Sequence, residues 1–194
     1  MPSTENNALP VGLPQQLIAV ARRSIEHGLS TRSPLFVDVT AYPLGLREPR
    51  ATFVTLMLHE ALRGCIGTLE ANRPLVEDVV VNAYAAAFHD PRFNPLTEAE
   101  LPEVKVRISI LSPSTEVQFC TEEELLRTLR PGVDGLTIQR GDQRATFLPV
   151  VWESLPRPED FLEHLKHKAG IPAGSGSNGL RAWRYTTESF TEPC

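Results

Sequence analysis

Ala51-Thr52-Phe53-Val54-Thr55-Leu56-Met57-Leu58-His59-Glu60-Ala61-Leu62-Arg63-Gly64-Cys65-Ile66-Gly67-Thr68-Leu69 is the stretch on which the fold turns. Ala51 to Leu58 is rich in β-branched and large apolar side chains and lacks glycine and proline, so it predicts a strand. His59-Glu60-Ala61 predicts a tight connection, and Leu62 to Leu69 its hairpin partner. Gly64 and Gly67 weaken that second strand and need a reason, either a bulge or the close approach of a backbone or ligand. Strand alternation places Arg63, Cys65 and Gly67 on one face and Leu62, Gly64, Ile66 and Thr68 on the other. A guanidinium then lies beside a thiol, with space in front of Gly67. A nearby cation lowers a thiol pKa and raises its thiolate fraction. The competing reading is a structural cysteine in a packed hairpin.

Before the hairpin, Pro14 opens a helix in which Leu17, Ile18, Ala21, Ile25 and Leu29 recur at helical spacing. Residues 1–11 read as a flexible tail. Leu35 to Thr40 predicts a strand and Tyr42 to Pro49 a loop. After the hairpin, Pro74 starts a helix with Leu75, Val79, Ala83 and Ala86 as its buried stripe. Glu77 and Asp78 sit in its first turn, at the positive end of its dipole. Ala85, Ala86 and Ala87 predict close packing on a sheet. Val104 to Leu111 alternates, burying Val104, Val106, Ile108 and Ile110.

Further on, Thr121 and Glu124 form a capping-box pattern. Leu136 to Arg140 and Ala145 to Leu148 flank a Gly141-Asp142 turn. Pro158 starts a last helix that Gly170 stops, Gly174 to Gly179 reads as a flexible loop, and Ala182 to Phe190 as a final strand. Hairpins outnumber strand–helix–strand units, so the fold class is α+β, with helices laid on mainly antiparallel sheet.

Composition sets bounds on function. The chain has 194 residues and 17 prolines, against 12 glycines, which exclude a coiled coil or helical bundle. The net charge of -5 argues against clamping a nucleic-acid backbone over a wide face. Cys65, Cys120 and Cys194 lack CxxC spacing, so they form neither a disulfide framework nor a zinc cage, and they fit a reducing cytosol. The polar first ten residues show no signal peptide, and no apolar run is long enough to span a bilayer. The expectation is a soluble cytoplasmic protein.

Other strings bear on chemistry. His89-Asp90-Pro91-Arg92-Phe93 is a polar cluster at a proline-fixed helix end. Asp90 and Arg92 can bind a polar ligand, or pair with each other or with loop backbone. His89 is a candidate base for Cys65. Asp134, in Gly132-Val133-Asp134-Gly135-Leu136, either bonds its own turn backbone or presents a carboxylate at a strand entry. His164 and His167, with Asp160 and Glu163, read as a solvated helix face rather than a metal site, so no metal is expected. No sequence feature names a cofactor.

Together these strings resemble the AMMECR1 domain family. The resemblance runs from Ala51-Thr52-Phe53-Val54-Thr55-Leu56 into the hallmark Leu62-Arg63-Gly64-Cys65-Ile66-Gly67. It continues through Arg73-Pro74-Leu75, Asn82-Ala83, Ala86-Ala87-Phe88 and Asp90-Pro91-Arg92-Phe93. Ile108-Ser109-Ile110-Leu111, Pro131 to Leu136, Thr146-Phe147-Leu148-Pro149, Val151-Trp152 and Lys168-Ala169-Gly170 extend it over nearly the whole chain. Asn94 and Asp134 depart from residues common in the family.

The resemblance implies one domain over residues 12–190 made of two unequal, intertwined α+β lobes. It implies a cleft between them lined by Leu62, Arg63, Gly64, Cys65, Ile66 and Gly67, with Asp90, Arg92, Phe93 and Asp134. It also implies a three-component system with a Memo-like protein and a radical SAM protein. Within that frame the first expectation is a binding or accessory component, taking a small-molecule or peptide ligand. The second is a cysteine-dependent enzyme with Cys65 as nucleophile or redox thiol and Arg63 steadying an anion. A nucleic-acid-binding regulator ranks last.

Overall fold

The computed structural model describes residues 9–172 and 174–193. The expectations for residues 1–8 and for Cys194 lie outside these. The fold is α+β, with two four-stranded sheets and five α-helices among the described residues. The chain divides into two compact units, Met1–Leu111 with Glu188–Cys194, and Ser112–Thr187.

In the first unit, α1 (Leu13–Thr31) buries Leu17, Ile18, Ala21 and Ile25 as its periodicity requires. Leu29 remains half-buried at the end of that stripe. The sheet has the order β2-β1-β3-β8, from β1 (Thr52–Leu58), β2 (Ala61–Gly67), β3 (Val104–Leu111) and β8 (Thr187–Thr191). β1 pairs antiparallel with both neighbours. His59 and Glu60 form the β1–β2 turn with φ of 49° and 64°, the positive values a two-residue hairpin connection needs. α3 (Leu75–Phe88) lies against β1 and β2, and Leu75, Val79, Ala83 and Ala86 are buried with Val54, Leu56, Val106 and Ile108 in one core.

The second unit holds β4 (Thr115–Val117), α4 (Glu122–Thr128), β5 (Gly135–Arg140), β6 (Gln143–Phe147), α5 (Pro158–Ala169) and β7 (Arg181–Tyr185). Its sheet order is β4-β7-β5-β6. Thr121 caps α4 by accepting the Glu124 N–H, and Glu124 accepts the Cys120 N–H in return. Gly170 ends α5 at φ 76°. Trp152 stacks on Phe161, centroids 3.8 Å apart, within a separate core.

Three local expectations are corrected. Leu35 to Thr40 is extended, and Leu35, Val37 and Val39 pack toward the core, but no strand pairs with it. Asp38 instead accepts the Thr40 N–H and turns the chain into a short 3-10 helix, Val39–Ala41. Within the predicted loop at Tyr42 to Pro49, Leu44–Arg47 forms α2, and its Leu46 is fully buried. The predicted last strand is two: β7 joins the second sheet and β8 the first, broken at Thr186. There the Thr186 N–H donates to Ser112 Oγ and the Ser112 N–H to the Thr186 carbonyl, each at 2.9 Å. The loop expected at Gly174 to Gly179 is present, and Arg140 donates to its Ser175 Oγ and Gly176 carbonyl.

Candidate functional site

Leu62 to Gly67 occupies β2, an edge strand of the first sheet. The two glycines have different reasons. Gly64 faces Leu56 across the ladder, and a Cβ there would stand 2.1 Å from the Ala86 carbonyl oxygen, so the α3 backbone itself demands glycine. Gly67 faces Phe53, and a Cβ would stand 2.3 Å from that ring. The space expected in front of Gly67 is therefore filled by Phe53, because cross-strand partners project side chains on the same face.

The alternation is also broken by a bulge. Met57 pairs with Leu62 while Leu56 pairs with Gly64, leaving Arg63 as the extra residue. The bulge re-aims Arg63. Its Nε donates to Glu100 at 2.7 Å, its Nη2 reaches the Pro95 carbonyl, and only 13% of its side chain is exposed. Glu100 also accepts the Thr97 N–H and hydroxyl. These donors, Arg63 first, hold its carboxyl down at about 2.

The segment after α3 runs beside the β2 edge. Asp90 is buried and its Oδ2 accepts the Cys65 N–H at 2.8 Å. Arg92 grips both oxygens of Asp90 and approaches the Cys65 carbonyl at 3.5 Å. The bond from Arg92 is the main cause that holds the Asp90 carboxyl far below the usual carboxylate range. Asp90 in turn keeps the Arg92 guanidinium charged, with a smaller contribution from Cys65. Phe93 lies 5.9 Å from the Arg63 guanidinium and 5.4 Å from that of Arg92, within cation–π reach of both. The half-buried Cys65 thiol sits 3.3 Å from Thr55 Oγ1 on the neighbouring strand.

The structure thus brings Arg63, Cys65, Asp90, Arg92 and Phe93 together. Leu62 is partly exposed on the same strand, and Ile66 packs toward the core. His89 caps α3 through its N–H, and its ring tilts against Tyr84. Asp134 belongs to the second unit, fully buried, where it accepts the Arg130 N–H and pairs with the Arg130 guanidinium at 2.6 Å. Its carbonyl takes the Trp152 Nε1–H. His164 bonds the Asp160 carbonyl within α5. Among the described residues no group of three or more His, Cys, Asp or Glu side chains is placed to hold a metal ion.

Sequence reasoning missed one polar centre. Asp78, read as a helix-dipole residue, is 1% exposed and accepts from the Thr52 N–H and hydroxyl, the Thr68 hydroxyl, the Arg73 guanidinium and the Asn82 amide. Asn82, the polar break in an apolar helix, carried the signal. A polar side chain on a buried stripe demands a buried partner, and Asp78 stands one turn before it.

The AMMECR1 family profile matches residues 18–190. Protein MJ0810 of Methanocaldococcus jannaschii is 34% identical over 183 residues, covering 90% of this chain and 88% of that one. A protein of Methanothermobacter thermautotrophicus is 34% identical over 182 residues, covering 91% and 92%. The crystal structure of the uncharacterized protein PH0010 from Pyrococcus horikoshii superposes with a TM-score of 0.83 at 32% identity, over 91% of this chain and 90% of that one. With the family profile spanning both units and relatives this similar over nine-tenths of its length, this chain belongs to the AMMECR1 family.

Proposed function

We propose that this protein is a binding or accessory component that acts with a Memo-like protein and a radical SAM protein through the surface around Arg63-Gly64-Cys65-Ile66-Gly67. One observation carries this reading. Asp90 and Arg92 serve as hydrogen-bond partners of the Cys65 backbone, and Arg63 is held by Glu100. Charged groups engaged in this way shape a rigid surface, and a rigid surface lowers the cost of ordering on association. The partly exposed Leu62 and the Arg63–Phe93–Arg92 group supply apolar and cationic contacts of the kind enriched at interfaces.

The test is titration of the purified chain with each partner protein, followed by calorimetry, for the natural sequence and for Leu62→Asp and Arg92→Glu. A complex weakened at least tenfold by either substitution supports the reading. No complex with either partner at tens of micromolar overturns it.

A second reading, a cysteine-dependent enzyme, is favoured by the Arg92 charge beside Cys65. Its measure is the pH dependence of Cys65 alkylation, read by peptide mass spectrometry. A thiol that titrates at or above the free value of roughly 8.5 removes Cys65 as nucleophile.

A further inference from the structure

The β2 edge is closed at one residue and open at the next. The Thr68 N–H donates to the Thr52 carbonyl, so Thr68, Ile66 and Gly64 turn their backbone groups toward β1. Cys65 and Gly67 therefore turn theirs outward, away from the sheet. At Cys65 the chain fills that edge itself, with the Asp90 carboxylate on the N–H and the Arg92 guanidinium near the carbonyl. At Gly67 neither backbone group has a partner among the described residues.

That opening is not flat surface. Gly67 lines a cavity of about 520 Å³ together with Thr68, Leu69, Glu70, Asn72 and Arg73. Arg73 is 34% exposed and uses Nε and Nη2 on Asp78, which leaves Nη1 without a partner among the described residues. An outward N–H and C=O from one residue match the alternating donors and acceptors of an extended peptide, the mode in which a strand adds to a sheet edge. A half-exposed guanidinium at the same cavity matches a carboxylate.

We propose that the β2 edge at Gly67 receives an extended peptide segment of a partner protein, paired through its backbone, with a carboxylate of that segment seated at Arg73. This rests on the reading of the hallmark strand as a docking surface and names the chemistry it takes. The glycine also acquires a second role, since a side chain at this position would displace Phe53 at the point where the peptide approaches.

The experiment is amide NMR of the natural sequence with four probes. These are a six-residue threonine- and valine-rich peptide with a free terminal carboxylate, its C-terminal amide, a copy N-methylated at alternate residues, and acetate alone. The free-acid peptide is expected to shift the Gly67 amide and the Arg73 side-chain signal together at millimolar concentration. The amide and the N-methylated copy are each expected to bind at least fivefold more weakly. Arg73→Gln, its fold checked by the dispersion of the remaining amides, is expected to remove the preference for acid over amide. No Gly67 shift at several millimolar of the free-acid peptide overturns the proposal, as does equal binding of the acid and the N-methylated copy. A response to acetate that matches the peptide in size and leaves Gly67 unmoved overturns it in favour of a simple anion site. A partner complex that forms with Gly67 and Arg73 undisturbed defeats this inference while leaving the docking reading standing.

Discussion

Arg63 and Glu100 lie 37 positions apart in the chain and are joined by two bonds, Nε to Oε1 at 2.7 Å and Nη2 to Oε2 at 3.2 Å. A side chain of β2 is thereby tied to the turn that leads into β3. Glu100 is ordinarily half-protonated near 4.5 and here near 2. A depressed carboxylate contributes stability that is present above its unfolded value and lost as pH falls through its folded value. We expect acid destabilisation between pH 4.5 and 2, and Glu100→Gln to flatten that part of the curve. At neutral pH the substitution should cost ~1–2 kcal/mol, kept low because the pair is partly exposed. Urea midpoints measured at steps of pH check both.

Gly64→Ala sets a Cβ against the Ala86 carbonyl oxygen, which belongs to backbone and cannot rotate away. The helix must move off the strand. A loss of about 2–3 kcal/mol is expected from overpacking of this kind. Gly141→Ala, where a Cβ meets nothing but φ is positive, should cost less. Thermal midpoints of the two variants, compared directly, test the ranking.

Asp78→Ala removes the acceptor for the Thr52 N–H, the Asn82 amide and the Arg73 guanidinium. Stranding a partly buried cation and several buried donors typically costs about 3–5 kcal/mol. Asp78→Asn, which keeps the shape, should recover a part of that. Equilibrium urea unfolding gives the numbers, and a loss below about 0.5 kcal/mol, the range of surface mutations, would contradict the network's role.

Tyr185 is buried against Gly135, and its hydroxyl bonds Thr146. Burial is the leading cause that raises its pKa from 10.0 to about 12. A raised group contributes stability in full below its unfolded value and loses it as pH rises through the folded value. Stability should therefore fall between pH 10 and 12, and Tyr185→Phe should weaken that fall. Denaturant midpoints across this range, with ultraviolet titration of phenolate, test it.

The β1–β2 hairpin was legible because alternation, length and a turn coincide in one short stretch. Leu35 to Thr40 shows the limit of that signal. Its side chains alternate in and out as a strand's do, yet pairing is a property of the neighbour, and none arrives. The split of the last strand at Thr186 was hidden for the same reason, since both halves carry strand-forming residues and only the partners differ. At the site, Gly64 and Gly67 announced close approaches without saying by what. One is a helix carbonyl and the other an aromatic ring. The Arg63–Cys65 side-by-side reading assumed unbroken alternation, and a bulge at Arg63 leaves no mark in composition. Asp78 was misjudged because its position in the first turn offered a sufficient explanation at the surface.

The β8 strand has a consequence for biosynthesis. The second unit is one continuous segment, whereas the first is completed only by residues from Glu188 onward. On the ribosome, β3 emerges well before β8, the strand that will cover its free edge, and all of the second unit is made in between. Glu192, which grips Arg22 of α1, arrives later still. The nascent first unit thus waits with an open strand edge, a template for pairing with neighbouring chains. Speed of translation through residues 112–187 sets how long that exposure lasts.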